Sequence, residues 1–139
     1  MLRDDRGRLL LGLRAPHIYS GDHWGLVEGK AEAGEDAVSA MLREAHEEIG
    51  VRLDAADLTP AAVVHYRGEV GQIRVGFGFT ALHDPRRHGA VVNAEPHKCQ
   101  ELRWCAPDRL PAPLGRYTAA VLAAAGAPER FTVAGWTAR

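Results

Sequence analysis

Glu44, Glu47 and Glu48 recur about one turn apart in the segment GKAEAGEDAVSAMLREAHEEIGV, Gly29 to Val51. At about 100° of rotation per residue, an α-helix would gather the three carboxylates within an arc of roughly 100°. Like charges at that spacing repel by a few tenths of a kcal/mol per pair in an isolated helix. The natural compensation is a hard divalent cation, which takes oxygen donors. Val38, Met41, Leu42, Ala45 and Ile49 fall on a neighbouring arc, a stripe that can bury against a sheet. The helix would then be anchored on one side and present its acids on another.

A generic helix carrying a Glu-Glu pair is usually a solvated acidic face, here helped by Arg43 and Glu47 at i,i+4. The loop in front of this helix weighs against that reading. Gly29 and Gly34 permit positive φ, so a strand-to-helix connection can bend sharply and aim its carbonyls at an ion. Glu32, Glu35 and Asp36 add acidic oxygens, and acids in a first helical turn suit the helix dipole. Gly50 stands where a C-terminal glycine closes a helix.

The elements that must hold this helix follow from periodicity and punctuation. Leu9–Leu13 reads as a strand after the turn Asp4–Gly7, and Trp24–Val27 as a short strand leading into the acidic segment. The helix is expected from about Asp36 to Ile49. Leu58–Tyr66 and Gln72–Leu82 read as hairpin partners around Gly68–Gly71. Ile73, Val75, Phe77 and Phe79 share one face of the second, and Gly76 and Gly78 share the other, where a ligand or close packing fits. Asp84–Lys98, with Pro85, Gly89, Asn93 and Pro96, is expected to be a long surface loop. Leu102–Ala106 reads as a strand, Pro107–Pro113 as a turn, and Leu114–Ala125 as a second helix stopped by Gly126. Phe131–Trp136 is too short to assign. The order strands, helix, strands, helix implies an α+β layered fold.

The 139 residues suffice for one domain over 1–139, not two. A formal net charge of −1 without a basic stripe argues against general nucleic-acid binding. No apolar stretch approaches the ~18 residues of a membrane span. The polar N-terminus shows no signal peptide, so a cytoplasmic location is the default. Cys99 and Cys105 have no zinc spacing and are expected to be reduced and structural.

Residues 29–51 fit the pattern G-x5-E-x7-R-E-U-x-E-E-x-G-U, where U is apolar. Gly29, Glu35, Arg43, Glu44, Glu47, Glu48 and Gly50 hold the fixed positions, with Ala45 and Val51 at the apolar ones. This resembles the Nudix box, the signature of the Nudix or MutT-like hydrolases. The resemblance implies a mixed β-sheet sandwiched between α-helices (α/β/α). It also implies Mg2+-dependent cleavage of a nucleoside triphosphate, or another nucleoside diphosphate linked to some moiety, with Mn2+ as an acceptable substitute. Glu44, Glu47 and Glu48 would bind metal and take a proton. Arg43 would orient them by ion pairing, and Glu35 would brace the loop–helix corner. The Glu28 carbonyl, before the motif glycine, would also ligate metal.

Outside the box, relatives carry a glutamate before a late strand that reaches back to the metal. Glu101 is the favoured match, in both the metal and the catalytic set, with Glu95 as the alternative. Arg14 and Lys30 match positions that contact substrate phosphate. Tyr66 keeps a dinucleoside polyphosphate substrate in play. ADP-ribose is disfavoured by the lack of a nearby proline, and no NADH-type segment exists. Tyr66, Phe77, Phe79 and Tyr117 could stack a base, although strand aromatics are more often core.

Two departures stand out. Val27-Glu28-Gly29 replaces the usual Pro-Gly-Gly, which loosens the approach to the box. Only Met1–Arg3 precede the first turn, where the family has a full strand. Either the true start lies upstream, or the strand is shortened, or a partner subunit in a homodimer covers the edge. The competing reading is a Nudix-shaped binding or regulatory module without turnover, which usually has lost the box glutamates kept here.

Overall fold

The computed structural model describes residues 1–136. Its strands are β1 (Leu2–Arg3), β2 (Leu9–Arg14), β3 (Trp24–Gly25), β4 (Thr59–Arg67), β5 (Ile73–Leu82), β6 (Cys99–Cys105) and β7 (Phe131–Ala134). Its helices are α1 (Ala37–Ile49), the single turn α2 (Pro85–His88) and α3 (Arg116–Gly126), with a 3-10 turn at Ala55–Asp57.

Leu9, Leu10 and Leu11 are all almost wholly buried, so β2 is covered on both faces and sits at the centre of the sheet. It pairs antiparallel with β6 along its whole length, and with β1 and β3 at its two ends. The seven strands run β3-β2-β1-β5-β4-β7, with β6 also on β2. The β1·β5 and β4·β7 pairs are parallel, which makes the sheet mixed.

Side chains alternate between faces along a strand, so Leu10 and Leu11 point opposite ways. Leu10 and Ala81 pack with Ile49 and Val51 at the end of α1, joined by Leu102 and Trp104 of β6. On the other face, Ala62, Val64 and Tyr66 of β4 pack against Val121 and Ala124 of α3. Leu11, Trp24 and Cys105 complete that side. The result is the expected α+β layering, a mixed sheet between helices.

Asp36 caps α1 rather than starting it, accepting from the N–H groups of Val38 and Ser39 at 2.8 and 3.1 Å. Gly50 adopts φ 69° and donates to the His46 carbonyl, a left-handed turn that an L side chain resists. The second helix begins later than expected, at Arg116, because Leu114 instead bridges to Trp24. Gly126 is its last residue and not its stop.

The stretch Asp84–Lys98 is not a free surface loop. Asp84 caps the turn of α2 through the Arg86 N–H at 2.9 Å. Val92 and Ala94 then donate to the Ile49 and Glu48 carbonyls at 3.0 and 3.1 Å. Those carbonyls are ones that the end of a helix leaves unpaired, so the segment is stapled to the C-terminus of α1. The unassigned tail forms β7, parallel to β4. Cys99 and Cys105 are free thiols.

The apolar face of β5 turns the other way from a core strand. Ile73, Val75 and Phe77 are 58, 57 and 57% exposed, and only Phe79 is buried. The glycine face packs instead: the Tyr117 hydroxyl of α3 lies over Gly76, and Val121 reaches Gly78.

Candidate active site

Arg43 is the centre of the acidic segment. Its Nε and Nη2 donate to the two oxygens of Glu35 at 3.0 and 2.9 Å. Nη1 donates to Glu44 Oε1 and Glu47 Oε2, both at 3.0 Å. Nη2 also donates to the Lys30 carbonyl at 3.0 Å. A guanidinium has five N–H donors in a rigid fork, and each one here has an oxygen. Glu35, then Glu44 and Glu47, hold Arg43 protonated. Glu35 in turn accepts from the Glu32 N–H at 3.0 Å, so loop and helix are tied through one side chain. Arg43 is thereby placed to orient Glu44 and Glu47, and Glu35 to brace the corner.

Gly29 does not use a positive φ, unlike Gly34 at 84°. Its role is space: a Cβ there would overlap the Glu44 carboxylate. Glu48 points inward, and its Oε2 accepts from the Glu28 N–H at 3.3 Å. Burial, then the charges of Glu44, Glu95 and Glu28, push its carboxyl up to about 8. Burial also raises the carboxyl of Glu28, although Arg14 Nη1 lies 3.6 Å away.

Among the described residues, no three acidic, histidine or cysteine side chains converge in ready ligand geometry, since Glu44 and Glu47 are turned onto Arg43. The donor set still fits a hard cation. All donors are carboxylate or carbonyl oxygens, and the charge of Glu48 is penalised by burial and three acidic neighbours, which a divalent ion would relieve.

Glu101 does not join this cluster. Leu102 and Trp104 point into the core beside α1, so the period of two turns Glu101 and Arg103 to the opposite face. There Arg103 donates to Glu101 at 2.8 Å and lies 4.5 Å from the Trp24 ring centre. Glu95, rather than Glu101, is one of the acids whose charge acts on Glu48, in a segment held to α1 by the bonds of Val92 and Ala94. Lys98 accompanies it, with Nζ 2.7 Å from Glu95 Oε1. The apolar alternation of Leu102 and Trp104 was the available signal. Lys30 offers Arg43 its carbonyl, and its side chain is exposed.

Beside Glu28 lies a cavity of about 190 Å³ whose walls include Arg14, Glu28, Tyr66, Arg74 and Tyr117. The Arg74 guanidinium lies 4.8 Å from the Tyr117 ring centre and 5.9 Å from that of Tyr66. The two rings meet edge-to-face at 5.2 Å. Nothing in the sequence alone singles out Arg74, although the alternation of β5 puts it on the face of Gly76 and Gly78. Phe77 and Phe79 line no part of this cavity. A larger, open depression of about 340 Å³ near Arg103, Trp104 and Arg109 holds no carboxylate.

The NUDIX domain model matches residues 1–125, and the chain belongs to that family. It is 29% identical over 102 residues to the CTP pyrophosphohydrolase of Escherichia coli K12, covering 73% of this chain and 69% of the relative. A MutT NUDIX hydrolase from Burkholderia pseudomallei superposes with a TM-score of 0.73 at 29% identity, over 86% of this chain and 94% of that one. The NUDIX domain of Shewanella oneidensis NrtR, solved with ADP ribose, shares the fold at TM-score 0.62 and 17% identity, over 88% and 79%. The chain is a MutT-like Nudix hydrolase of the pyrophosphohydrolase type. Hydrolases of this family are generally dependent on a divalent metal. Among the described residues, no helix is long and apolar enough to cross a membrane.

Proposed function

We propose that the chain is a Mg2+-dependent nucleoside triphosphate pyrophosphohydrolase, with Mn2+ able to substitute, acting in the cytoplasm. The observation that carries this reading is the adjacency of the box glutamates to the cavity, since Glu28 lines the cavity and donates its backbone N–H to Glu48. Mg2+ there would supply positive charge against phosphate oxygens and acidify a water. Glu44, Glu47, Glu48, Glu95 and the Glu28 carbonyl would hold it. Arg43 keeps Glu44 and Glu47 aimed, so that one of them can take the proton from the attacking water. Arg14, on the rim, is the phosphate contact.

The cavity suits a single base rather than a whole nucleotide, since pockets for drug-sized ligands start at roughly 300 Å³. Tyr117 and Arg74 offer flat surfaces for stacking. Glu28 can accept from an exocyclic amine, as glutamate does from cytosine N4, while Arg74 can donate to a ring carbonyl. A cytosine-type nucleotide is the best match, in keeping with the name of the Escherichia coli relative. The test is a phosphate-release screen over nucleotides with Mg2+, run beside Glu48→Gln. Turnover should be highest for CTP or dCTP and fall by at least ~10²-fold in the variant. An inactive wild type that binds nucleotide tightly would overturn the reading in favour of a module without turnover.

A further inference from the structure

Six large apolar residues of the β5-β4-β7 end of the sheet are open to solvent on one face. Ile73, Val75 and Phe77 of β5 are 57–58% exposed, and Phe131, Val133 and Trp136 are 55, 41 and 38% exposed. The register shows that they form one surface. Val63 pairs with both Phe77 and Phe131, and His65 with both Val75 and Val133. Trp136 closes the strip by lying 4.8 Å from the His65 ring. The cause is the reach of α1, which covers this face only as far as Ala81, while α3 occupies the opposite face.

At about 100 Å² exposed per side chain, the strip presents on the order of 600 Å² of apolar surface. That is the upper end of what an ordinary monomer leaves bare, roughly 300–600 Å². We propose that this face is where a second copy of the chain docks, sheet face against sheet face, about a twofold axis. Two such strips brought together would bury on the order of 1,200 Å², the lower bound of a specific interface. Chemistry favours a second copy over a charged partner. Among the described residues of the strip, the Arg67 guanidinium is already held 5.7 Å from the Trp136 ring centre. An isologous contact sets the same patch on both copies, and an apolar strip meets no like-charge conflict when set against itself. The outward edge of β7 is unpaired at the end of the sheet, so among the described residues neither this face nor this edge is covered. This places the contact away from the edge in front of β1, where the sequence alone raised the homodimer.

The test is sedimentation equilibrium of the wild type up to about 100 µM, since dimer populations depend on concentration. Val75→Glu and Val133→Glu are run beside it with circular dichroism. The wild type should sediment as two chains of 15.1 kDa, and each folded variant as one. If Val133→Glu fails to fold, Ile73→Lys at the hairpin end serves in its place. A wild type that stays monomeric at 100 µM overturns the proposal, as do folded variants that remain dimeric. A monomeric wild type that pellets with phosphatidylcholine vesicles would assign the face to a lipid surface and also overturns it.

Discussion

The Glu44 carboxylate occupies the space that a side chain on Gly29 would need. Box glycine and box glutamate are thus one packing unit, with the loop backbone passing directly under the acid. Gly29→Ala should push Glu44 out of register while leaving the fold intact, because the displaced group is the end of a flexible side chain. The expected result is a fall in kcat of ~10²-fold with a melting point within a few degrees of wild type. Unchanged kcat with a folded protein would show that the close approach does not matter.

Arg43 is required as a fork and not merely as a charge. Arg43→Lys keeps the charge but can satisfy at most three of the five oxygen contacts. The variant should lose ~10-fold or more in kcat. A double-mutant cycle with Glu35→Gln should show non-additive effects on stability by thermal or chemical unfolding. Additivity of the two changes would contradict a shared bidentate pair.

Glu48 makes the metal-free protein sensitive to pH. Its carboxyl titrates near 8 when folded, against an ordinary 4.5. Between those values the folded state binds more protons than the unfolded state, so stability falls as pH rises from about 4.5 to 8. In EDTA at pH 8, Glu48→Gln should therefore melt higher than wild type, by ~3–8 °C, and the gap should close near pH 4.5. Calorimetry across that range checks the sign. A variant that melts lower at pH 8 would mean that the Glu48 charge is already well compensated.

Glu95 and Glu101 separate the staple from the strand. Glu95→Gln should raise the Mg2+ concentration needed for half-maximal rate several-fold, since one oxygen donor set is lost. Glu101→Gln, which loosens only a half-exposed pair with Arg103, should leave the Mg2+ dependence unchanged. The reverse pattern would restore Glu101 to the site.

The local parts of this site were legible in the sequence because they are set by short-range rules. The helix, the burial of Ala45 and Ile49, the Arg43–Glu47 pair and the Gly50 turn all follow from spacing within residues 29–51, whereas Asp36 proves to be the cap, Ala40 is buried, and Val38, Met41 and Leu42 are only half-buried. What escaped was decided by tertiary contacts. Residues 84–98 look like a loop by composition, and only their hydrogen bonds to Glu48 and Ile49 bring Glu95 to the acids. Glu101 looked right by proximity to a strand, but the faces of Leu102 and Trp104 turn it away. The alternation of β5 was correctly read, yet α3 packs on its glycines instead of its aliphatics. Gly29 was valued for backbone freedom and proved to be a matter of room.

The most direct measurement is Mn2+ binding by electron paramagnetic resonance, with a non-hydrolysable triphosphate present. Free Mn2+ signal should fall on adding wild type and should be largely restored with Glu44→Gln/Glu48→Gln, a loss of affinity of at least ~10-fold. Equal binding by wild type and the double variant, both folded, would contradict the assignment of the ion to these carboxylates.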